Sequence, residues 1–437
     1  MRESNQSIIE EEKLFEQLCS NDLLRNAFQE VKRNKGAAGI DRVTIEIYEL
    51  RLDENLEQLS SQLKSWNYRP KPVRRVEIPK PNGGIRPLGI PCIHDRVVQA
   101  AIKMLLEPIL DPRFSPNSYG FRPGRNQEQA VQAAKRIISS GKEYVVDVDI
   151  TKFFDKIHHD KLISRLSAIV SDKRILRIIG MTLRSGIMHH GVIEVTEEGS
   201  IQGSPLSPLL SNLVLDELDK ELERRGLEFC RFADDFNIFV SSQKAAERVM
   251  EKISEFIKRK LSLEVNKEKS KVAPASKVKF LGMTIITMTI AISLQSMNRA
   301  MAKVKELIPR GTNRTIREDI KTFNRWYTGW SSYYKMTEYP TQLSLIEAHA
   351  RRRFRARLVG QQKRRRHLLE TLKKRGVPGK IAAQAAYSNK RRWGQSLTKG
   401  VNMAFPNKWF SEEMGFKTRS GEKLPHWKSL KTWVRLS

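Results

Sequence analysis

Cysteine is scarce in this chain, which has only Cys19, Cys92 and Cys230 in 437 residues. The three lie far apart in the sequence, and no two of them form a C-x-x-C pair. Disulfide-stapled domains and structural zinc sites both depend on cysteines at short, regular spacings. The sequence therefore predicts neither a disulfide framework nor a zinc site.

Long apolar runs are missing too. No run reaches the roughly 18 consecutive apolar residues that identify a membrane-spanning helix, and the N-terminal MRESN is unlike a signal peptide. We therefore expect a cytoplasmic chain without a membrane span. The phosphate-binding pattern G-x-x-x-x-G-K-[ST] is also absent, which argues against an ATP-driven helicase.

Acidic residues are the minority among the charges. The chain has 79 lysines and arginines against 49 acidic residues, a net charge of +30. Residues 301–437 hold 32 of the basic and 9 of the acidic residues, so +23 of that charge falls in the last third. A charge block of this size predicts a polyanionic partner, because neutralising phosphates releases counterions. The length allows two to four domains.

Two adjacent carboxylates stand between apolar runs in residues 230–240 (CRFADDFNIFV). The pattern predicts a strand, a tight turn and a second strand, with Asp234 and Asp235 at the turn. Carboxylates are hard oxygen ligands that suit Mg²⁺, which also accepts substrate phosphates. Asp pairs in turns are commonly just solvated, so this pair alone does not define a metal site.

A third carboxylate follows a β-rich run in residues 143–155 (EYVVDVDITKFFD). Asp149 falls where the strand ends, the edge at which open sheets present their chemistry. Together with the Asp pair it could hold two Mg²⁺ ions about 3.5–4 Å apart, the arrangement used for nucleotidyl transfer. Asp147 lies deeper on the strand, and we interpret it as a structural carboxylate.

A hairpin is predicted from 74–79 (RRVEIP) to 85–90 (IRPLGI), with the turn at PNGG. It would bring Lys80 and Arg86 onto neighbouring strands, where two cations could neutralise a triphosphate. Solvated charge on an edge strand is the alternative.

Seven blocks of the chain resemble, in the same order, those of bacterial group II intron-encoded reverse transcriptases with maturase function. They are 68–99 (YRPKPVRRVEIPKPNGGIRPLGIPCIHDRVVQ), 115–125 (SPNSYGFRPGR), 149–155 (DITKFFD), 202–212 (QGSPLSPLLSN), 232–235 (FADD), 263–272 (LEVNKEKSKV) and 280–282 (FLG). The resemblance implies an α+β fold, a right-hand polymerase with an antiparallel sheet in fingers and palm and a helical thumb/maturase domain. Many relatives also carry a zinc-dependent HNH nuclease, for which this chain has neither the cysteines nor the length.

The resemblance also implies roles for individual residues. The metal ligands for two Mg²⁺ (or Mn²⁺) would be Asp149, the Ile150 carbonyl, Asp234 and Asp235, with the three aspartates catalytic. Phe154 would exclude a 2′-hydroxyl from the nucleotide pocket, whereas Phe153 is expected in the core. The implied nucleotide-binding residues are Lys80, Arg86, Phe154, Gln202 and Lys267, and the implied primer grip is Phe280, Leu281 and Gly282.

From about residue 298 the pattern becomes helical and basic. Trp326, Trp330 and Tyr333 share one helix face, read as thumb core, with a base-stacking platform as the alternative. Residues 351–392 contain 16 basic residues and a single acid, Glu370. The resemblance implies that this region grips intron RNA, and the residues assigned to RNA are Arg351, Arg352, Arg353, Arg355, Lys363, Arg364, Arg365 and Arg366.

We expect a helical N-terminal extension over 1–60, fingers over 61–140, palm with fingers insertions over 141–295, and thumb/maturase region with a C-terminal segment over 296–437. Two residues depart from the family pattern: Ile201 stands where Pro is frequent, and Phe232 where Tyr is frequent. Neither removes a metal ligand.

The implied partners are group II intron RNA, an RNA template, a DNA primer or target and dNTPs, used in a bacterial cytoplasm at the nucleoid. Three functions stay open: a polymerase that also assists splicing and copies its intron into cDNA, a reverse transcriptase recruited for defence or DNA repair, and a splicing cofactor with an idle polymerase centre. The sequence does not distinguish a monomer from a dimer.

Overall fold

The structure, a computed structural model, describes residues 13–79, 84–189, 192–194, 198–199 and 203–419. The chain forms two compact units, Met1–Pro274 and Ala275–Ser437. The sequence analysis places its last boundary at residue 295, and its finer division into four segments stays a prediction. No helix among the described residues is long and apolar enough to cross a membrane.

The described part of the first unit, from residue 13, starts with four helices. They are α1 (Leu14–Leu18), α2 (Asn21–Arg33), α3 (Ile45–Leu50) and α4 (Leu52–Lys64). Ser20 and Thr44 begin α2 and α3 by accepting hydrogen bonds from backbone amides of the first turn, which satisfies donors that a helix leaves unpaired. The apolar faces of α1 and α2 pack on the long helix α5 (Ile93–Leu110), α4 packs on α2, and α3 packs on α4, so that all four helices contribute to one continuous core. An N-terminal helical segment is thus present.

A four-stranded sheet in this unit has the order β2-β1-β4-β5. Its strands are β1 (Val73–Pro79), β2 (Ile85–Ile90), β4 (Ile187–His189) and β5 (Val192–Glu194). The predicted hairpin is present, because β1 and β2 are antiparallel with Ile78 opposite Arg86. Its turn, including Lys80, lies outside the described residues.

The second sheet has the order β6-β7-β3-β8, and all of its pairings are antiparallel. The strands are β3 (Tyr144–Val148), β6 (Glu228–Phe232), β7 (Asp235–Val240) and β8 (Lys271–Pro274). The helices around it are α6 (Gln127–Ser139), α7 (His159–Ser167), α8 (Lys173–Leu183), α9 (Ser207–Arg224) and α10 (Gln243–Phe256). The apolar face of α10 packs on β3 and β7, as its sequence periodicity predicts.

The second unit starts with a small sheet and continues as helices. Strands β9 (Met283–Ile286) and β10 (Thr289–Ile292) pair with each other. The helices are α11 (Leu294–Leu307), α12 (Ile316–Tyr333), α13 (Pro340–Gln361), α14 (Arg365–Lys374), α15 (Gly379–Ala386), α16 (Arg392–Gln395), α17 (Lys399–Ala404) and α18 (Asn407–Glu412). The sheet β6-β7-β3-β8 is antiparallel as predicted, whereas the sheet β2-β1-β4-β5 is mixed, because β1 and β4 pair in parallel. These sheets in the first unit and the basic helices in the second give the predicted α+β fold class.

The three cysteines are free thiols and all three are buried, in separate parts of the first unit. The expectation that they form no disulfide framework is confirmed.

Candidate active site

The aspartate pair lies at the connection between β6 and β7. Phe232 and Asp235 are the last paired residues of the two strands, so Ala233 and Asp234 form the turn. Ala233 has a φ of +59°, a left-handed conformation that non-glycine residues rarely adopt. A turn of this kind needs support from its surroundings, since it does not form for local reasons alone.

Arg231 supplies that support from inside the protein. Its guanidinium donates to the Ala233 carbonyl at 3.0 Å, to the amide oxygen of Asn212 at 2.9 Å and to both carboxylate oxygens of Asp219. The Arg231 and Asp219 side chains have no solvent exposure. Asn212 in turn donates to the Gly120 carbonyl at 2.9 Å. The turn is therefore tied to α9 through a buried hydrogen-bond network.

Gly120 packs directly behind the same turn. A Cβ atom at this position would clash with the backbone nitrogen of Ala233 and lie 2.9 Å from the carbonyl carbon of Phe232. Residues 117–119 also run beside β6, where the Tyr119 amide donates to the Arg231 carbonyl at 2.8 Å. The block SPNSYGFRPGR thus supports the aspartate turn, and only glycine fits at its closest point.

Asp149 follows the last residue of β3, which pairs with Phe236 in β7. Its backbone is fixed by the loop before β8, because the Asn266 amide donates to its carbonyl at 2.8 Å and its own amide donates to Ser270 Oγ at 2.9 Å. The side chain is 43% exposed, and Lys269 Nζ lies 3.7 Å from its carboxylate. Asp149 is held rigidly but remains accessible.

The two carboxylates act on each other electrostatically. Burial by the surrounding protein and the negative charge of Asp149 raise the pKa of Asp234, while the positive charge of Arg86 lowers it. Repulsion of this kind is relieved when a cation binds between the carboxylates. Asp234 is nevertheless exposed at the protein surface, so a ligand can reach it.

A cavity of about 680 Å³ opens in front of Asp234. Arg86 and Phe154 lie in its lining, as predicted, together with Gly203 at the entrance to α9. Gly203 has a φ of +111°, and a Cβ atom there would lie 2.6 Å from the Gly89 carbonyl oxygen of β2. This volume is in the range of ligand sites. Phe153 is buried beside Phe154, confirming its expected place in the core.

Of the remaining predicted nucleotide-binding residues, the structure describes Lys267. Lys80 and Gln202 lie outside the described residues. Lys267 is exposed in a turn before β8, and it is Lys269, two positions later, that faces Asp149. Asn266 sets this geometry, because its side-chain oxygen accepts from the backbone amides of residues 268 and 269.

The donor set fits a hard divalent cation that is completed by substrate phosphates. Among the described residues there is no group of three or more His, Cys, Asp or Glu side chains arranged for a metal. Two carboxylates with open access are what Mg²⁺ requires when phosphate oxygens and water complete its coordination. Ile150 and Val265 form an isolated antiparallel β-bridge. The two backbone hydrogen bonds of this bridge are made by the flanking residues, so they do not use the Ile150 carbonyl.

Two family models match the chain. Residues 78–285 match the reverse transcriptase (RNA-dependent DNA polymerase) family, and residues 297–376 match the group II intron, maturase-specific domain. The protein belongs to the group II intron reverse transcriptase/maturase family.

Curated relatives agree with this assignment. Protein YkfC of Escherichia coli is 32% identical over 301 residues, which cover 60% of this chain and 79% of the relative. The group II intron-encoded protein LtrA of Lactococcus lactis is 35% identical over 222 residues, half of this chain and 36% of LtrA. Among solved structures, a partial Cas6-RT-Cas1–Cas2 complex shares 27% identity over 56% of this chain and 42% of that chain, with a TM-score of 0.37.

In this reverse transcriptase/maturase, the predicted primer grip is a tight turn at the start of the second unit. Phe280 and Met283 exchange two backbone hydrogen bonds of 2.9 Å, and Leu281 and Gly282 between them have φ values of +51° and +81°. Positive φ at both central residues defines the turn best suited to a hairpin. Tyr333 Oη donates to the Leu281 carbonyl at 3.0 Å and thereby fixes the turn to α12.

The maturase region uses several of its arginines internally. Arg353 donates to the Ile308 and Lys305 carbonyls, and Arg355 donates to the Phe405 carbonyl and the Asn407 side chain. Both are buried, so neither can bind RNA directly as the sequence analysis assigned. Arg351 pairs with Glu347, and Arg352 stacks 3.9 Å above the Trp393 ring. The four basic residues 363–366 are exposed, as RNA contact requires.

The aromatic face of α12 is offset from its expected position. The buried residues of the helix include Phe323 and Tyr327, whereas Trp326, Trp330 and Tyr333 are half-buried. The two tryptophan rings stack on each other with centroids 5.8 Å apart. They pack at the edge of the helical core rather than in its centre, because the fully buried stripe of the helix passes through Phe323 and Tyr327.

Three contributors to the site escape sequence reasoning: Lys269, Arg231 and Phe121. Phe121 is 49% exposed, has a φ of +57° and lines the cavity with Asp234. An exposed aromatic with an unfavourable backbone conformation is typical of functional sites. The sequence does contain a signal for Arg231, because an arginine within the apolar strand 228–232 must find a charged or polar partner if the strand is buried.

Proposed function

We propose that the protein is an RNA-directed DNA polymerase that binds structured group II intron RNA, assists its splicing and copies it into cDNA for retrotransposition. One observation supports this proposal most directly. Asp234, Arg86 and Phe154 line one cavity in the reverse transcriptase domain, and Asp149 is close enough to raise the pKa of Asp234. The family gives RNA and DNA as the partners, and the reaction would take place where they meet, at the bacterial nucleoid.

The reaction is attack of a primer 3′-hydroxyl on the α-phosphate of a dNTP, with pyrophosphate leaving. When bound, two Mg²⁺ ions would lower the pKa of the attacking hydroxyl and neutralise the negative charge that develops on the leaving pyrophosphate. Asp149 and Asp234 would hold them, with the Ile150 carbonyl and Asp235 assisting.

The chain's own residues position the nucleotide. Arg86 lies on β2 at the same cavity as Asp234, where its guanidinium can pair with a phosphate of the triphosphate. The Phe154 ring forms part of the wall, where it would exclude a 2′-hydroxyl. Lys269 balances the charge of Asp149 at 3.7 Å before substrate arrives. Lys80, Gln202 and Lys267 remain proposed phosphate or sugar contacts.

Primer extension on an RNA template, with dNTPs and Mg²⁺ or Mn²⁺, tests the proposal. We expect extension by the wild type, none without a divalent ion, and none by Asp234→Ala. RNA binding by Asp234→Ala should stay within about twofold of the wild type, because Asp234 carries no RNA-binding charge. The matched control is Asp53→Ala, which removes an exposed aspartate remote in sequence from the site.

A folded wild type that binds RNA without extending a primer would overturn the polymerase assignment and leave the splicing-cofactor function. If Asp234→Ala lost RNA binding and extension equally, the separation of the two roles would be wrong.

A further inference from the structure

A second cavity, of about 600 Å³, lies wholly within the maturase unit. It is formed by the loop after α11, the C-terminal half of α13 and the start of α16. No sequence motif points to it, and the arginines that line it come from segments about 40 residues apart.

Its lining carries strong positive charge. Five arginines line the cavity, Arg310, Arg353, Arg357, Arg391 and Arg392, and no acidic residue does so within the described part of the chain. Burial and the positive charge of Arg310 lower the pKa of Arg353. Apart from Arg357, which pairs with Asp319, these arginines have no acidic partner among the described residues, and cations held this close favour an anionic ligand.

The five arginines divide into two groups. Arg353 and Arg357 are buried, and their guanidinium groups are bonded to the Ile308 carbonyl and to Asp319. They shape the wall of the cavity. By contrast, Arg310, Arg391 and Arg392 are exposed, and their guanidinium groups form no hydrogen bond or ion pair with any residue the structure describes.

An aromatic ring completes the lining. Trp393 is half-buried, with the Arg352 guanidinium 3.9 Å from its ring centroid and His349 at its edge. These contacts hold the indole in a fixed orientation at the cavity. Gly360 leaves space for the Arg392 side chain in the adjacent wall, because a Cβ atom at position 360 would lie 3.3 Å from that side chain.

We propose that this cavity binds one unpaired nucleotide of an RNA loop, with its phosphates on Arg310, Arg391 and Arg392 and its base against Trp393. The inference rests on the proposed function, since it names where the maturase unit recognises RNA. Planar guanidinium groups pair with phosphate oxygens in two-point contacts. Unstacked bases bind aromatic side chains, which is how proteins distinguish RNA loops from duplexes.

The concave shape favours a looped RNA over a duplex. A cavity of this volume accommodates a single ligand of nucleotide size, whereas a paired base cannot leave its helix without losing stacking. An acidic peptide would satisfy the arginines but would not use the indole face.

The test is titration of two labelled RNAs, a hairpin with an unpaired loop and a fully paired duplex of the same stem, against the full chain. The variant is Arg391→Gln/Arg392→Gln. The matched control is Lys380→Gln/Lys408→Gln, which removes the same charge from exposed positions of the same unit. Losing two phosphate contacts should weaken hairpin binding roughly 25-fold at ~0.1 M salt and reduce the salt slope by about 1.4.

The control should bind the hairpin within about threefold of the wild type, and the variant should lose little affinity for the duplex. Hairpin binding should also quench the tryptophan fluorescence of the wild type, and the part of this quenching that comes from Trp393 should be missing in Trp393→Phe. Equal hairpin affinity in variant and control would overturn the cavity as a site, and equal losses for hairpin and duplex would overturn the unpaired nucleotide. A polyglutamate peptide that displaced the hairpin as well as a competing RNA hairpin would overturn RNA as the ligand.

Primer extension on a short linear template separates this inference from the proposed function. The Arg391→Gln/Arg392→Gln variant should extend at the wild-type rate, because neither residue belongs to the polymerase site. If the wild type does not extend the primer, the assignment of polymerase activity is wrong. The hairpin titration would still show whether the cavity binds RNA.

Discussion

At the scale of single residues, Arg231 shows how the site depends on a side chain that never contacts substrate. It is the positioning residue for the aspartate turn, and it is fully buried against Asp219. We expect Arg231→Met to lower the free energy of unfolding by about 3–5 kcal/mol, because it leaves a buried carboxylate without its partner. Urea unfolding followed by circular dichroism measures the loss.

The control for this prediction is Arg224→Met, which removes a 71% exposed arginine paired with Glu221 and should cost at most about 1 kcal/mol. The double variant Arg231→Met/Asp219→Leu removes both charges and should recover most of the stability. It should still extend primers slowly, because the Ala233 carbonyl has lost its donor. Full recovery of extension would show that Arg231 serves stability alone.

The sequence alone could predict the hairpin that carries the aspartate pair but not this network. Apolar alternation around residues 230–240 predicts the hairpin, and that pattern is local. The partners of Arg231 lie 12 and 19 positions away on α9, and their approach depends on how that helix packs on the sheet. Local patterns carry no information about such packing, and the position of Lys269 beside Asp149 likewise depends on how the loop before β8 folds.

At the scale of secondary-structure elements, the loop before α6 and the β6–β7 hairpin fit together closely at Gly120. We expect Gly120→Ala to reduce primer extension by at least tenfold, because the added methyl group displaces the Ala233 backbone and with it Asp234. Single-turnover extension rates, measured on protein shown to be folded, would test this expectation.

Gly124→Ala is the matched control in the same loop. Gly124 has a φ of +67°, so alanine is strained there by about 1 kcal/mol, but no atom lies within 4 Å of the added group. This variant should lose some stability and keep its extension rate. Similar rates in both variants would mean that strain in the loop, rather than contact with the turn, governs activity.

Helix α5 contains a buried carboxylate that should make folding depend on pH. Burial raises the pKa of Asp95 to about 6, although its oxygens accept from Tyr68 Oη at 2.8 Å and from the Lys71 amide at 3.1 Å. Because the folded-state pKa is above the unfolded value, the folded state binds more protons between about pH 4 and 6. Asp95 therefore favours folding at low pH and opposes it above pH 6.

We expect the stability difference between Asp95→Asn and the wild type to shift in favour of the variant by about 2.4 kcal/mol from pH 4 to pH 7. Unfolding curves at both pH values measure this difference. The comparison cancels the opposite contribution of His94, whose pKa burial lowers to about 4. A difference that did not change with pH would show that Asp95 is charged throughout.

At the scale of the whole molecule, charge decides how the protein meets nucleic acid. With +23 of the +30 net charge in residues 301–437, RNA binding should depend steeply on salt. If six or more phosphates are contacted, the dissociation constant should rise roughly 10³-fold between 50 and 200 mM salt. Fluorescence anisotropy with the intron RNA measures this, and Asp234→Ala should give a parallel curve.

A rise of less than about tenfold would mean that few phosphates are contacted and that the basic surface serves another purpose.

For the whole molecule, the sequence predicts the fold class but not which basic side chains face solvent. Seven ordered blocks of sequence predict the fold class, which the structure confirms. The run RRRFRAR of α13 does not reveal which guanidinium groups face inward, because helices far along the chain cover several sides of it.

The burial of all three cysteines makes the native thiols unreactive. Burial raises the pKa of Cys19 and Cys92 to about 11 and that of Cys230 to about 12, so almost no thiolate exists at neutral pH. Only the thiolate reacts with alkylating reagents and peroxides. A single cysteine introduced at the exposed position of Lys408 would accept a fluorophore or spin label site-specifically, with every native thiol left in place.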